Sequence, residues 1–181
     1  MPAELAESIN VGAPPADVYQ AVSDVKRMAR WSPECFAALV WSRRDGAPAR
    51  FVGLNRRGPW VWFTTCQVVA ARPGEEFAFE VTTFGMPVSR WSYRLAPVDG
   101  GTEVTEAWLD KRGRGAHILG RVFTGKVARE RPQANREGML TTLARLKREL
   151  EEPSSVTAGD RSGGYRLDLQ RKRTKALLVH A

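Results

Sequence analysis

The chain is poor in the residues that organise metal centres, disulfide frameworks and nucleophilic triads. Its 181 residues include two cysteines, Cys35 and Cys66, and two histidines, His117 and His180. A stapled scaffold or a zinc site needs more ligands than these at closer spacing. Both thiols, in strand-like segments, are therefore expected to behave as small buried hydrophobes, and no metal or organic cofactor is expected. Neither histidine stands in a strand-end setting with a Ser or Cys partner, and no Gly-x-Ser-x-Gly sequence occurs, so nucleophilic catalysis has little support. No apolar run approaches the ~18 residues of a membrane span. The start, Met1-Pro2-Ala3-Glu4-Leu5, lacks the basic and apolar segments of a secretory signal. A cytoplasmic protein is the expectation.

What is abundant is positive charge, unevenly placed. The formal net charge is +8. Residues 1–110 carry eleven Lys and Arg against thirteen Asp and Glu, whereas residues 111–150 carry eleven against three and residues 151–181 six against four. Nucleic acid is an unlikely partner: no recognition motif accompanies the charge, and all six tryptophans lie in the acidic part. Lys111 to Arg131 interleaves Ile118, Leu119, Val122, Phe123 and Val127 with Arg114, Arg121, Lys126 and Arg129. That pattern suits either a solvated outer helix face or a surface for an anionic membrane or an acidic carrier protein.

Periodicity predicts one sheet and one long helix. Residues 3–11 place Leu5, Ile9 and Val11 on one face, as in a half-buried strand. Pro15 then opens a helix over Ala16 to Val25, and Met28 to Trp31 forms a short turn stopped before Pro33. Strands are predicted at 35–43, 50–57, 61–71, 75–84, 88–97 and 102–110. They are separated by short breaks with turn-forming Gly, Pro or Asp, which favours an antiparallel meander. Met139, Leu143, Leu146 and Leu150 mark one helical stripe that extends back to Asn135, with Pro132 expected to kink or interrupt the helix. The domain is expected at 3–150, and residues 151–181 read as a flexible basic tail in which Leu167 to Leu178 could form a short helix.

This order of elements, with Trp31-Ser32-Pro33-Glu34 after the short helices, resembles the START-like or SRPBCC superfamily. More closely, it is similar to its bacterial polyketide cyclase/dehydrase-type members. Other resembling segments are Ala13-Pro14-Pro15-Ala16-Asp17-Val18, Phe77-Ala78-Phe79-Glu80-Val81, Trp91-Ser92-Tyr93, Gly101-Thr102-Glu103-Val104-Thr105-Glu106 and Asn135-Arg136-Glu137-Gly138-Met139. The resemblance covers about residues 3–150. It implies an α+β helix-grip fold, a curved seven-stranded antiparallel sheet closing around the C-terminal helix with a cavity between them. Members bind lipids, hormones or polyketides, and some catalyse cyclisation and dehydration. No member's catalytic set transfers residue by residue, so the fold does not fix the chemistry.

Candidate site residues follow from strand and helix faces. In the last strand Val104, Glu106 and Trp108 share a face. If that face points inward, Glu106 is desolvated, its pKa rises, and it becomes a candidate acid or base; if outward, it is an ordinary surface partner for Lys or Arg. Asn135 shares a helix face with Met139, and Arg136 is a candidate partner for Glu106 or for a ligand carboxylate. Alternatively, both tie the helix to the sheet. Asn55 and Arg57, in Gly53-Leu54-Asn55-Arg56-Arg57-Gly58, could stand at a cavity mouth, and Glu34 reads as a cap or loop ion pair. The expected aromatic lining is Trp31, Trp41, Trp62, Phe79, Trp91 and Trp108, although a one-residue slip in register would reverse each assignment. The function expected is binding of a small hydrophobic or amphipathic ligand, lipid- or polyketide-like. The alternatives are a polyketide cyclase/dehydratase using Glu106 and Arg136, and a non-catalytic interaction module docking through its basic helix.

Overall fold

The computed structural model describes residues 4–113 and 131–152. Strand β1 (Glu4–Val11) leads through α1 (Pro15–Ser23), a 3₁₀ turn (Val25–Arg27) and α2 (Met28–Trp31) into six strands. These are β2 (Cys35–Arg44), β3 (Ala47–Arg57), β4 (Trp60–Arg72), β5 (Glu76–Thr83), β6 (Met86–Val98) and β7 (Gly101–Asp110). The last described element is the 21-residue helix α3 (Arg131–Glu151). The strands form one antiparallel seven-stranded sheet in the order β1-β7-β6-β5-β4-β3-β2. The segment from α1 to α2 carries the chain from one edge of this sheet to the other, and α3 packs on β1, β7 and α2. This is the helix-grip, START-like architecture.

Local chemistry explains the meander. The β2–β3 turn is tighter than expected, because Asp45 (φ 51°) and Gly46 (φ 80°) turn the chain and β3 already starts at Ala47. Two successive residues at positive φ are what a two-residue hairpin turn of the primed type requires. Phe84 (φ 50°) and Gly85 (φ 75°) do the same between β5 and β6. At Gly101 a Cβ would lie 2.0 Å from the Val11 carbonyl oxygen, so only glycine lets the start of β7 approach the end of β1.

Pro132 does not kink α3. It is the second residue of the helix, where the proline nitrogen has no intrahelical acceptor to lose. The predicted stripe faces inward: Met139, Leu143 and Leu146 are all 1% exposed or less, Asn135 is 5% exposed, and Leu150 is half-buried. Leu143 and Leu146 join Val11, Val18, Val22 and Val104 in the hydrophobic core, while Asn135 and Met139 project over open space beyond it. Glu149 accepts hydrogen bonds from Arg27 (2.5 Å) and Arg30 (3.0 Å), tying α3 to the crossover segment. His117, most of the basic segment and the expected short tail helix lie outside the described residues. Of that segment, Lys111 pairs with Glu80 at 2.6 Å.

Candidate functional site

A cavity of about 560 Å³ lies between the sheet and the first half of α3. That is ample for a small organic ligand, since such pockets typically span about 300–1,000 Å³. The concave face of β3 to β7 forms most of its wall through strand alternation. Phe51, Gly53, Asn55 and Arg57 on β3, Trp62, Thr64 and Cys66 on β4, and Phe79 and Val81 on β5 all line it. Trp91 and Tyr93 on β6 and Glu106 and Trp108 on β7 continue the wall, and Asn135, Met139 and Thr142 of α3 roof it.

The polar centre is Glu106. Its register partners are Glu7 on β1 and Tyr93 on β6, so the three side chains share the concave face. Glu106 is 3% exposed. The Tyr93 hydroxyl donates to Glu106 Oε1 at 2.9 Å, while Oε2 is buried without a hydrogen-bond partner among the described residues. Burial pushes the carboxyl up to about 8, and the Tyr93 bond draws it back only partly. At neutral pH the group is therefore mainly a carboxylic acid, which can donate a hydrogen bond. Tyr93, also raised by burial and by the neighbouring carboxyl, keeps its own proton and stays a donor.

A second buried donor faces the cavity from β3. Arg57 Nη1 lies 3.5 Å from Glu34 Oε1, an ion-pair distance, but it makes no hydrogen bond among the described residues. Another lining cation, Arg112, is held in a two-pronged contact by Asp110 (Nε–Oδ1 2.9 Å, Nη2–Oδ2 2.6 Å). Asn55 Nδ2 donates to the Gly53 carbonyl (3.2 Å) and to Thr64 Oγ1 (3.3 Å), fixing its amide along the wall. Burial raises the Cys35 thiol to about 11 and the Cys66 thiol to about 12, so both are unreactive apolar lining at neutral pH. Among the described residues no three metal-ligating side chains come together.

Of the residues singled out from sequence, the cavity gathers Glu106, Asn55, Trp62, Phe79, Trp91, Trp108, Asn135 and Met139. Three are elsewhere. Arg136 is not part of the cavity lining but bonds Glu7 Oε1 at 2.6 Å, because one helical residue beyond Asn135 is rotated about 100°. Trp31 is 2% exposed and sits in the solid core, where the Arg27 guanidinium stacks over its ring. Trp41 is 63% exposed on the convex face, since the bulge between Cys35 and Ala37 shifts the alternation of β2 so that Ala38 and Val40 face inward and Trp41 outward. Sequence reasoning missed Tyr93, Thr142 and Arg112. A signal for Tyr93 was present: it stands two residues beyond Trp91 on the same strand face.

The family model for polyketide cyclase/dehydrase and lipid transport proteins matches residues 2–151. The chain is 31% identical to a polyketide-cyclase-like protein of Corynebacterium glutamicum; the match covers 83% of this chain and 93% of that one, with a TM-score of 0.57. It shares its fold with a START superfamily protein of Mycobacterium smegmatis (12% identity, 81% and 98% coverage, TM-score 0.57). It also resembles the di-domain ARO/CYC protein StfQ of the steffimycin biosynthetic pathway (14% identity, TM-score 0.66), covering 84% of this chain and 51% of StfQ. No curated protein matches by sequence. On the family match and the identity to the Corynebacterium protein, the chain belongs to the polyketide cyclase/dehydrase and lipid transport family.

Proposed function

We propose that the protein binds a small hydrophobic or amphipathic ligand, lipid- or polyketide-like, between the sheet and α3. The observation that carries this reading is Glu106 in the wall of an aromatic-lined cavity, its buried Oε2 without a hydrogen-bond partner among the described residues. A buried polar atom left unpaired is costly, and a ligand oxygen would relieve that cost. Because Glu106 is neutral at pH 7, the matching group is a carbonyl or hydroxyl rather than an ammonium. Arg57 offers a second donor four strand spacings away, roughly 19 Å around the sheet curve, which favours a ligand with acceptor oxygens at separated positions. Family membership supports the same class of ligand.

Native mass spectrometry of the purified protein tests this. The expected result is a non-covalent adduct that disappears on denaturing extraction and is absent from a Thr142→Trp variant, whose indole fills the space under α3. An adduct of equal abundance in the folded Thr142→Trp protein overturns the assignment of the cavity.

The raised carboxyl of Glu106 favours a second reading, cyclisation or dehydration of a polyketide-like substrate. Near its pKa of about 8 Glu106 can move a proton alpha to a carbonyl, with Asn135 steadying the developing enolate oxygen. Arg136 has no part in this, being held by Glu7. A Glu106→Gln variant that binds but does not turn over supports the enzyme; equal loss of both, or of neither, supports a binder.

A further inference from the structure

The convex face of β2 to β4, opposite the cavity, is apolar where a seven-stranded sheet of this kind meets solvent. Phe36 (50%), Leu39 (59%), Trp41 (63%), Val61 (64%) and Phe63 (46%) are all strongly exposed. Register makes them one surface. Leu54 of β3 lies between Ala37 and Phe63, and Val52 lies beside Leu39. Two bulges in β2 set Phe36 with Ala37 opposite Leu54, and Trp41 with Ser42 opposite Arg50; each aromatic follows an inward residue, Cys35 or Val40, and so stands on the convex face. A contiguous apolar patch of this sort marks an interaction site.

The charge around it narrows the partner. Between Cys35 and Ala71 the chain carries five arginines (Arg43, Arg44, Arg50, Arg56 and Arg57) and one carboxylate, Asp45. Arg43, Arg44, Arg50 and Arg56 are exposed. A second copy packed on this face would set arginines against arginines, and the two bulges blunt β2 as an edge for strand pairing. Exposed Trp and Phe ringed by arginine are instead the composition of a shallow membrane-surface anchor. The patch runs to the β3–β4 hairpin, whose Arg56 and Gly58 also line the cavity.

We propose that the convex face of β2–β4 docks on an anionic phospholipid bilayer, with the apolar side chains entering the headgroup layer and the arginines facing the lipid phosphates. This does not depend on what the cavity holds. The full chain is sedimented with phosphatidylcholine vesicles, with and without phosphatidylserine. The expected result is binding only to the phosphatidylserine vesicles, weakened by about tenfold or more in a Trp41→Glu/Val61→Glu double variant that keeps its melting temperature. A Val98→Glu/Leu140→Glu control adds the same charge at exposed positions away from the patch and leaves binding unchanged. The proposal is overturned if the wild type ignores the anionic vesicles or if both double variants lose binding equally. It is also overturned if the wild type is a dimer that Trp41→Glu/Val61→Glu dissolves.

Discussion

The two ends of the sheet–helix interface are built from the same elements and enclose opposite things. At one end β7 contributes Thr102 and Val104, and α3 contributes Leu143 and Leu146; all are 1% exposed or less, and the space between them is filled. At the other end β7 contributes Glu106 and Trp108, α3 contributes Asn135 and Met139, and a cavity of about 560 Å³ separates them. Branched aliphatic side chains interdigitate and leave no void. Large rings held apart around a curved sheet, with polar groups between them, do not. The solid end thus supplies the folding energy that the hollow end forgoes, and the hollow end carries the chemistry.

Truncation on each side of this divide gives the largest contrast. Leu146→Ala should cost about 2–5 kcal/mol of stability, because the void it leaves is walled on all sides. Met139→Ala should cost less, since one side of Met139 already faces open space and fewer contacts are lost. Equilibrium denaturation of both variants checks this; equal losses would mean that the space beneath Met139 closes in solution.

The hollow end is also where pH should be felt. The carboxyl of Glu106 has an ordinary value of 4.5 and a folded value of about 8. The unfolded chain therefore releases this proton at lower pH than the folded protein does. Stability from this group is full below about 4.5, falls as pH rises to about 8, and is lost beyond. Glu106→Gln, neutral throughout, should match the wild type at pH 5 and exceed it at pH 9. The expected gain is roughly 1–3 kcal/mol, tempered by whatever water the cavity admits. A variant no more stable at pH 9 would show that Glu106 ionises without penalty, and the contrast between a filled end and a dry hollow end would fail.

Much of this divide was legible before any coordinates. Alternation along β7 put Glu106 between Val104 and Trp108, and the stripe from Asn135 to Leu150 marked the buried face of α3. Gly, Pro and Asp punctuated all seven strands. What alternation cannot see is an interruption of its own period. The bulge between Cys35 and Ala37 adds a residue to β2, so Ala38 and Val40 face inward and the Trp41 ring lies on the convex face. Trp31 was misplaced for a different reason: it ends a four-residue helix, and so short a segment has no face that periodicity can fix. Tyr93 was overlooked because its importance lies in a cross-strand pairing with Glu106, and pairing partners are set by register rather than by either strand's own sequence.

Arg136 carries the smallest expected effect and the clearest boundary for the site. Read from sequence it was a partner for Glu106; in the fold it bridges α3 to Glu7, the β1 residue directly opposite Glu106. Its side chain is 63% exposed, so water screens the pair. Arg136→Ala should therefore cost about 0.2–1 kcal/mol, less at high salt, and should leave both ligand affinity and the pH dependence of Glu106 unchanged. Denaturation at low and high salt, with a ligand titration alongside, separates the possibilities. A change in affinity, or a shift of the Glu106 transition, would mean that removing the guanidinium lets the Glu7 carboxylate act on Glu106 across the β1–β7 pair. The polar centre would then extend from the cavity to the sheet edge, and the hollow end would no longer stop at β7.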